Sequence, residues 1–179
     1  NEPIRSILIE KNIRTREPIS GKLDYDIDGK LVGNWFLEGT NGYAGAVAEI
    51  GGAGHWLGHL TLAYDYIDPE RVVISIGGYN GEDSKQFGVK GNSPNPADVS
   101  IKNGLIKYEL VEYDYLTSNR NSWDRISLAK DLKTVSRENV IGVVLVQMIS
   151  DRKIKFEVFP GKTASEVNGF TGNTKIYER

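Results

Sequence analysis

Hydrophobic and polar residues alternate with a period of two along much of this chain, which is typical of half-buried β-strands. The pattern is clearest in residues 59–67 and returns in residues 71–76, after a turn signal at Asp68-Pro69. The two segments predict a hairpin with one apolar face. That face consists of Leu60, Leu62, Tyr64, Tyr66, Val72, Ile74 and Ile76.

Seven further segments alternate in the same way or form short apolar runs. In chain order they are 21–28, 30–38, 86–90, 105–113, 140–149, 153–159 and 174–179. Asp28-Gly29 is a tight-turn signal between the first two segments, and 150–152 turns the chain between 140–149 and 153–159. About nine short strands predict a mainly β protein, either an antiparallel, calycin-like β-barrel or a β-sandwich.

One minor helix is predicted between strands, within 115–139. Leu128, Leu132 and Val135 recur there at helical spacing behind Ser127, a candidate N-cap. Residues 1–20 do not follow the strand pattern and are compatible with an edge strand, a short helix or a leader from a preceding domain. We therefore expect a single β-barrel domain over 21–179, preceded by an N-terminal edge segment or linker over 1–20.

Composition narrows the functional classes. The chain has 179 residues, enough for one domain with a core of its own, and 39% are hydrophobic and 26% charged. A net charge of -2 with scattered cations argues against nucleic-acid binding. No apolar run is long enough to span a bilayer, and the absence of cysteine excludes thiolate chemistry and disulfides. Because the chain begins with Asn and carries no leader pattern, we expect a mature, trimmed or excised product.

Two glycine-rich segments interrupt the strands, at 40–54 and 77–91. We expect 40–54 to be a mobile loop. A phosphate-binding loop is disfavoured there, because no Lys-Ser/Thr pair and no helix pattern follow the glycines. In a barrel, the two segments would instead rim a mouth at which a ligand can bind.

The two histidines are the first candidates for chemistry. In an extended strand His55 and His59 share a face but lie about 13 Å apart, too far to share a metal. Only a curled backbone over 54–58 would bring them together, with Asp65 or Glu49 as a third ligand. We therefore predict no metal site, with His59 hydrogen-bonded in a strand and His55 on a loop.

A second candidate metal site is the run Asp24, Asp26, Asp28 and Gly29, which matches the opening of a calcium-binding loop. The closing acidic residue is missing, because Trp35 occupies the twelfth position. A solvated strand face leading into an Asp-Gly turn explains the same residues, and we favour it.

Enzymatic signatures are absent from the sequence. There is no G-x-S-x-G elbow, no cysteine nucleophile and no serine at a recognisable spacing from either histidine. The alternative we retain is a hydrolase or lyase that uses His59 and Asp65 with Tyr64 or Tyr66. It has the weakness that, in a regular strand, these tyrosines point away from His59 and Asp65.

The triplet Gly33-Asn34-Trp35 on an early strand, with Arg179 at the end of the last one, resembles the G-x-W signature of lipocalins and the wider calycin group. The resemblance implies that Trp35 packs across the base of a barrel and that Arg179 lies over its indole in a cation–π contact. The cysteine pattern of that family is missing here, and Trp35 is equally compatible with a plain core position.

A longer resemblance covers residues 14–179. The segments GKLDYDIDGKLVGNWFLEGT, GHLTLAYDYIDP, GNSPNPADVS, KYELV and VLVQMISDRKIKFEVFPGKTASEV are similar to the C-terminal region of uncharacterised bacterial proteins whose upstream half resembles the M23 (LytM-like) peptidase fold. The zinc motifs of that peptidase, H-x-H and H-x-x-x-D, have no counterpart in this chain. The resemblance therefore implies an accessory domain in an exported protein, periplasmic or extracellular.

The sequence thus predicts a non-enzymatic binding or accessory domain of an exported bacterial protein, without a cofactor or an assigned catalytic residue. Its expected partner is a small molecule, a glycan or a neighbouring domain, and a purely structural interaction domain is the plainer alternative. The residues predicted to contact a ligand are Trp35, His55, His59, Tyr64, Asp65, Tyr66 and Arg179.

Overall fold

The computed structural model describes residues 2–40, 42, 55–79 and 83–179. Eight antiparallel strands form a closed barrel in which each strand pairs with its neighbours in the chain and the last pairs with the first. The strands are β1 (Gly33–Leu37), β2 (His59–Tyr64), β3 (Val72–Tyr79), β4 (Asp83–Val89), β5 (Leu105–Leu116), β6 (Lys133–Ser150), β7 (Lys153–Pro160) and β8 (Lys175–Glu178). The predicted antiparallel barrel is confirmed, and the sandwich alternative is wrong.

The predicted β2–β3 hairpin is confirmed. Leu60 pairs with Ile76 and Leu62 with Ile74, and all four side chains are buried. The same periodicity fails at Tyr66, which lies beyond the end of β2 and is 54% exposed. Alternation therefore predicts the inward face only as far as the strand itself continues.

The barrel interior is packed with side chains from every strand. Large residues occupy its middle, and packing at this density leaves little free volume there. The buried cluster comprises Leu31, Trp35, Leu60, Leu62, Val72, Ile74, Ile76, Phe87, Val89, Val99, Tyr108, Leu110, Val144, Val146, Met148, Ile154, Phe156 and Tyr177.

One predicted strand, 21–28, is not formed. Leu23, assigned to its buried face, is 97% exposed, and the described backbone there is irregular. The reason is that both edges of β1 are occupied, one by β2 and the other by β8, so no edge remains for another strand. The Asp28-Gly29 turn is present, with Gly29 at a positive φ of 74°.

The helix predicted behind Ser127 is also wrong. Leu128 is 73% exposed, and Val135 belongs to β6, where its partner is Asp114 of β5. Long-range strand pairing overrides a weak local helical spacing. The helix that the structure does contain is α1 (Glu2–Lys11), one of the three alternatives for 1–20, and it buries no residue. Within the described part of the chain, no helix has the length and apolarity to cross a membrane.

The two ends of the barrel differ. At the end defined by the start of β1 and the end of β2, residues 90–104 lie close by: Leu31 N donates to Val99 O (3.0 Å) and Val32 N donates to Pro96 O (3.1 Å). We call this the closed end. The opposite end, where β1 ends and β2 begins, is the open end; β3, β5 and β7 also end there, and β4, β6 and β8 begin there. Most of the predicted mobile loop, 40–54, lies outside the described residues.

Gly77 provides a test of how closely the chain packs at the open end. A Cβ at Gly77 would lie 1.7 Å from the carbonyl oxygen of Trp56, in the short 3-10 turn His55–Gly58. We expect Gly77→Ala to lower the free energy of unfolding by about 1–3 kcal/mol, because the turn must move. Gly172→Ala is the control, since a Cβ there meets nothing within 4 Å. Equal urea denaturation curves for both variants would contradict the prediction.

Candidate functional site

A cavity of about 360 Å³ lies at the open end of the barrel. Its apolar walls come from the inward positions of β3, β7 and β8, where the core packing stops short of the barrel rim. The lining side of these strands includes Ile76, Gly78, Phe156, Val158 and Tyr177. This volume is at the lower end of the range for small-molecule sites.

The charged residues in the cavity lining differ in whether their side chains are already bound by other groups of the protein. Lys175, on β8, is exposed and forms no ion pair with any other residue that the structure describes. Glu157, in contrast, is buried, and its carboxylate accepts hydrogen bonds from Thr171 N (2.7 Å), Thr171 Oγ1 and Thr174 Oγ1 (2.9 Å). Burial raises the pKa of Glu157, but the hydrogen bonds from Thr171 and Thr174 outweigh it, so the pKa lies below its ordinary value. Lys175 is thus the charged group in the lining that remains available.

Segment 161–174, which supplies one side of the rim, is fixed to the outer wall of the barrel. Lys107 Nζ donates to Ala164 O (2.9 Å) and to Val167 O, and Ala164 N donates to Glu109 Oε1 (2.9 Å). The bond from Ala164 holds the pKa of Glu109 below its ordinary value. Val167 packs in a second apolar cluster with Val143 and Leu145. The rim is therefore preformed on this side.

Trp35 and Arg179 lie at the closed end. Trp35 is fully buried, and the guanidinium carbon of Arg179 lies 3.9 Å from the centroid of its indole ring. The predicted cation–π contact is therefore confirmed. Burial lowers the pKa of Arg179, whose guanidinium also donates to Val32 O (2.8 Å) and Ile27 O (3.1 Å) and pairs with Asp26 (3.4 Å). With the Arg179 side chain 3% exposed, the pair seals the barrel base and is not presented to a ligand.

Asp65 is buried at the outer face of the barrel beyond the end of β2. Its Oδ2 accepts hydrogen bonds from the hydroxyls of Tyr113 (3.0 Å) and Tyr115, and its Oδ1 accepts from Ile67 N (2.9 Å) and Asp68 N (2.8 Å). Burial, followed by the interaction with Asp65, raises the pKa of both tyrosines. Both phenols therefore stay protonated at neutral pH, and Asp65 ties the β2–β3 turn to the long β5–β6 hairpin.

His59 and Asp65 are not brought together. Both side chains face outward, but the two residues are six positions apart along an extended chain, which separates them by about 20 Å. His59 instead meets Phe36 edge-on, with 5.2 Å between the ring centroids. The pairing required by the hydrolase or lyase alternative is therefore not formed, although Asp65 does meet two tyrosines other than Tyr64 and Tyr66. The His55 side chain lies outside the described residues.

The two remaining predicted contact residues are also separated. Tyr64 faces inward near the closed end, where its hydroxyl donates to Asn95 Oδ1 (2.6 Å). Tyr66 lies at the surface against the guanidinium of Arg14, 5.9 Å from its ring centroid. The predicted residues thus belong to several distinct places rather than one site.

The acidic run before the Asp28-Gly29 turn is engaged with other groups. Asp24 Oδ1 accepts from Asp26 N (2.8 Å), Asp26 Oδ1 accepts from Asn34 N (2.6 Å), and Asp28 pairs with Arg152 (3.5 Å). Across 2–40, 42, 55–79 and 83–179, no group of three or more histidines and carboxylates is placed to hold a metal ion.

The lining of the open-end cavity was missed by sequence reasoning. Lys175, Phe156 and Val158 all fit the alternating pattern, but the pattern does not say which barrel end is closed. Of the two glycine-rich segments, 40–54 belongs to the connection between β1 and β2, which starts and finishes at the open end. The prediction that 77–91 is a rim loop is wrong in its described part, because 77–79 belong to β3 and 83–89 form β4.

Fold and cavity together define a class: an up-and-down, eight-stranded antiparallel β-barrel with a sealed base and a shallow cavity at its other end. Compared with known proteins, the chain matches no family model, no curated protein and no solved structure.

Proposed function

We propose that the protein is a non-enzymatic binding module that takes a small, mainly apolar molecule with an anionic group into the open end of its barrel. The observation that carries this proposal is the 360 Å³ cavity above a filled and sealed core. An accessory role in an exported bacterial protein, as the resemblance to M23-linked proteins implies, is part of the same proposal.

The size and polarity of the ligand follow from the cavity lining. Aromatic and aliphatic side chains from β3, β7 and β8 provide most of the contact area, which favours an apolar body. Glu157 alternates with the inward residues Phe156 and Val158, so its carboxylate lies on the outer side of β7, where Thr171 and Thr174 bind it. Lys175 Nζ is then the group that selects the ligand's charge, and it selects a negative one.

Binding of 8-anilino-1-naphthalenesulfonate, an apolar aromatic anion, tests the proposal by fluorescence titration. We expect a dissociation constant on the order of 10 µM for the native chain. Lys175→Gln should weaken binding about three- to fivefold, as expected for a partly solvated ion pair. Lys155→Gln is the matched control, because Lys155 lies on the outer face of β7, and it should leave the affinity unchanged.

Two further measurements separate cavity binding from adsorption. Val158→Trp should fill the cavity and weaken binding about tenfold or more, whereas Leu8→Ser, on the exposed apolar side of α1, should not. The neutral probe N-phenyl-1-naphthylamine should respond to Val158→Trp but not to Lys175→Gln. Unchanged dye binding in a folded Val158→Trp variant, or equal losses in Lys175→Gln and Lys155→Gln, would refute the proposal.

A further inference from the structure

The outer face of β1–β4 carries a row of uncharged polar side chains in register. Asn34 pairs with Thr61, Thr61 with Ser75, and Ser75 with Gln86. Because residues directly opposite one another across antiparallel strands share a face, these four side chains form one continuous row, which we call the polar row. All four are at least partly exposed to solvent.

The polar row differs from the opposite wall of the barrel. There, the outward positions of β5 and β7 carry charged side chains, namely Lys107, Glu109, Lys155 and Glu157. Lys107, Glu109 and Glu157 bind segment 161–174, and Lys155 is exposed, so each charge on that wall has a partner in the protein or faces solvent. Four neutral side chains in adjacent strands, each with donor and acceptor capacity, therefore call for a different explanation.

The polar row is the floor of a groove of about 300 Å³. At one end of this groove stand Tyr25 and Tyr66, together with the almost fully exposed Leu23. Asp26 fixes segment 21–28 there through its hydrogen bond from Asn34 N (2.6 Å). The segment that fails to form a strand instead builds an aromatic wall beside the row.

A second groove of about 300 Å³ continues from Gln86, which lines both. Gln86 Nε2 donates to the hydroxyl of Tyr113 (2.9 Å), which in turn donates to Asp65 (3.0 Å). This chain of hydrogen bonds orients the Gln86 amide and leaves its Oε1 available. Tyr115, with Arg125 5.5 Å from its ring centroid, forms the far wall.

The hydrogen-bonding capacity of the polar row is only partly used within the protein. Thr61 Oγ1 donates to Asn34 Oδ1 (2.7 Å), but Asn34 Nδ2, Ser75 Oγ and Gln86 Oε1 bond to no residue that the structure describes. Together they present donors and an acceptor to the groove. The row spans four strands, about 15 Å, and the joined grooves extend one strand further to β5.

We propose that the polar row, with the tyrosines at its two ends, binds a neutral oligosaccharide. Hydroxyl groups of a sugar are both donors and acceptors, as are the side chains of the row, and tyrosine rings offer flat apolar surfaces for sugar rings. In the first groove the charged side chain of the lining is Lys22, whereas the second groove also carries Lys85, Glu112, Asp114 and Arg125. The four residues of the row are themselves neutral, so the first groove favours an uncharged ligand. A peptide added as an extra strand is disfavoured, because a closed barrel has no free edge.

Isothermal titration calorimetry with four neutral tetrasaccharides, derived from cellulose, starch, chitin and xylan, tests this assignment. We expect at least one to bind with a dissociation constant of millimolar or below. Gln86→Ala should weaken that binding about five- to tenfold through loss of one or two hydrogen bonds. Gln147→Ala is the matched control, since Gln147 faces outward on β6, on the opposite wall, and it should bind like the native chain.

The same titrations distinguish the polar row from the open-end cavity. Val158→Trp should leave sugar binding unchanged, and the tetrasaccharide should not displace 8-anilino-1-naphthalenesulfonate. Absence of heat with all four sugars at millimolar concentration would overturn the assignment, as would equal losses in Gln86→Ala and Gln147→Ala. Tighter binding of tetragalacturonic acid than of any neutral sugar would overturn the neutral ligand class.

Discussion

Replacing Trp35 by alanine is expected to lower the free energy of unfolding by about 3–5 kcal/mol, the largest loss for any single side chain considered. Trp35 is fully buried at the closed end, its Nε1 donates to Leu31 O (2.9 Å), and Arg179 covers its ring. Truncation opens a cavity at the base and leaves the guanidinium above an empty space. Urea denaturation followed by far-UV circular dichroism measures the loss.

Ile126→Ala is the control for the Trp35 measurement. Ile126 is 91% exposed in the connection between β5 and β6, and its truncation should change the stability by no more than about 0.5 kcal/mol. A Trp35→Ala variant whose unfolding midpoint matches that of Ile126→Ala would show that the base of the barrel is not held by this side chain.

The second large effect is expected for Asp65→Asn, with a loss of about 2–4 kcal/mol. Both carboxylate oxygens accept hydrogen bonds, Oδ1 from two backbone amides and Oδ2 from the hydroxyls of Tyr113 and Tyr115. An asparagine amide of the same shape would place its own donors against some of these donors. The β2–β3 turn would then be detached from the β5–β6 hairpin.

Asp114→Asn is the matched control for Asp65→Asn. Asp114 lies next to Tyr113 and Tyr115 on β5, but it is part of an exposed ion pair with Arg137 (3.0 Å), which contributes at most about 1 kcal/mol. Thermal unfolding should therefore separate the two aspartates clearly. If both variants unfold at the same temperature, the Asp65 hydrogen bonds do not stabilise the hairpin as the geometry indicates.

The long β5–β6 hairpin illustrates what local sequence patterns miss. Leu128, Leu132 and Val135 have helical spacing, yet Tyr115 pairs with Thr134 and Leu116 with Lys133. Strand β5 therefore continues to 116 rather than 113, and β6 begins at 133 rather than 140. Their extension is stabilised by Asp68, whose Oδ2 accepts from Thr134 N (3.0 Å) and Thr134 Oγ1 (2.9 Å). These partners are 66 residues apart in the chain, and no window of neighbouring residues contains that information.

The residues predicted to form a site show the same limit of local sequence patterns. The sequence names Asp65 as a candidate together with Tyr64 or Tyr66, but Tyr64 faces inward and Tyr66 lies at the surface beyond the end of β2. The tyrosines that it meets, Tyr113 and Tyr115, come from a strand 48 and 50 residues later in the chain. Lys175, the charged group left available at the open end, had no sequence signal of its own.

By itself, the sequence determined most of the strands and their inward faces, because a period of two is a property of the chain that survives in any sheet. It was wrong for the strand at 21–28 and for an inward Tyr66. The resemblance in three residues and one late arginine implied the Trp35–Arg179 contact, which the structure contains, but the sequence left a plain core position for Trp35 equally open. Only the tertiary structure decided that the sheet closes, that 21–28 finds no edge on which to pair, and which barrel end is sealed. Those outcomes depend on register and on contacts between distant segments, and so do the open-end cavity and the polar row.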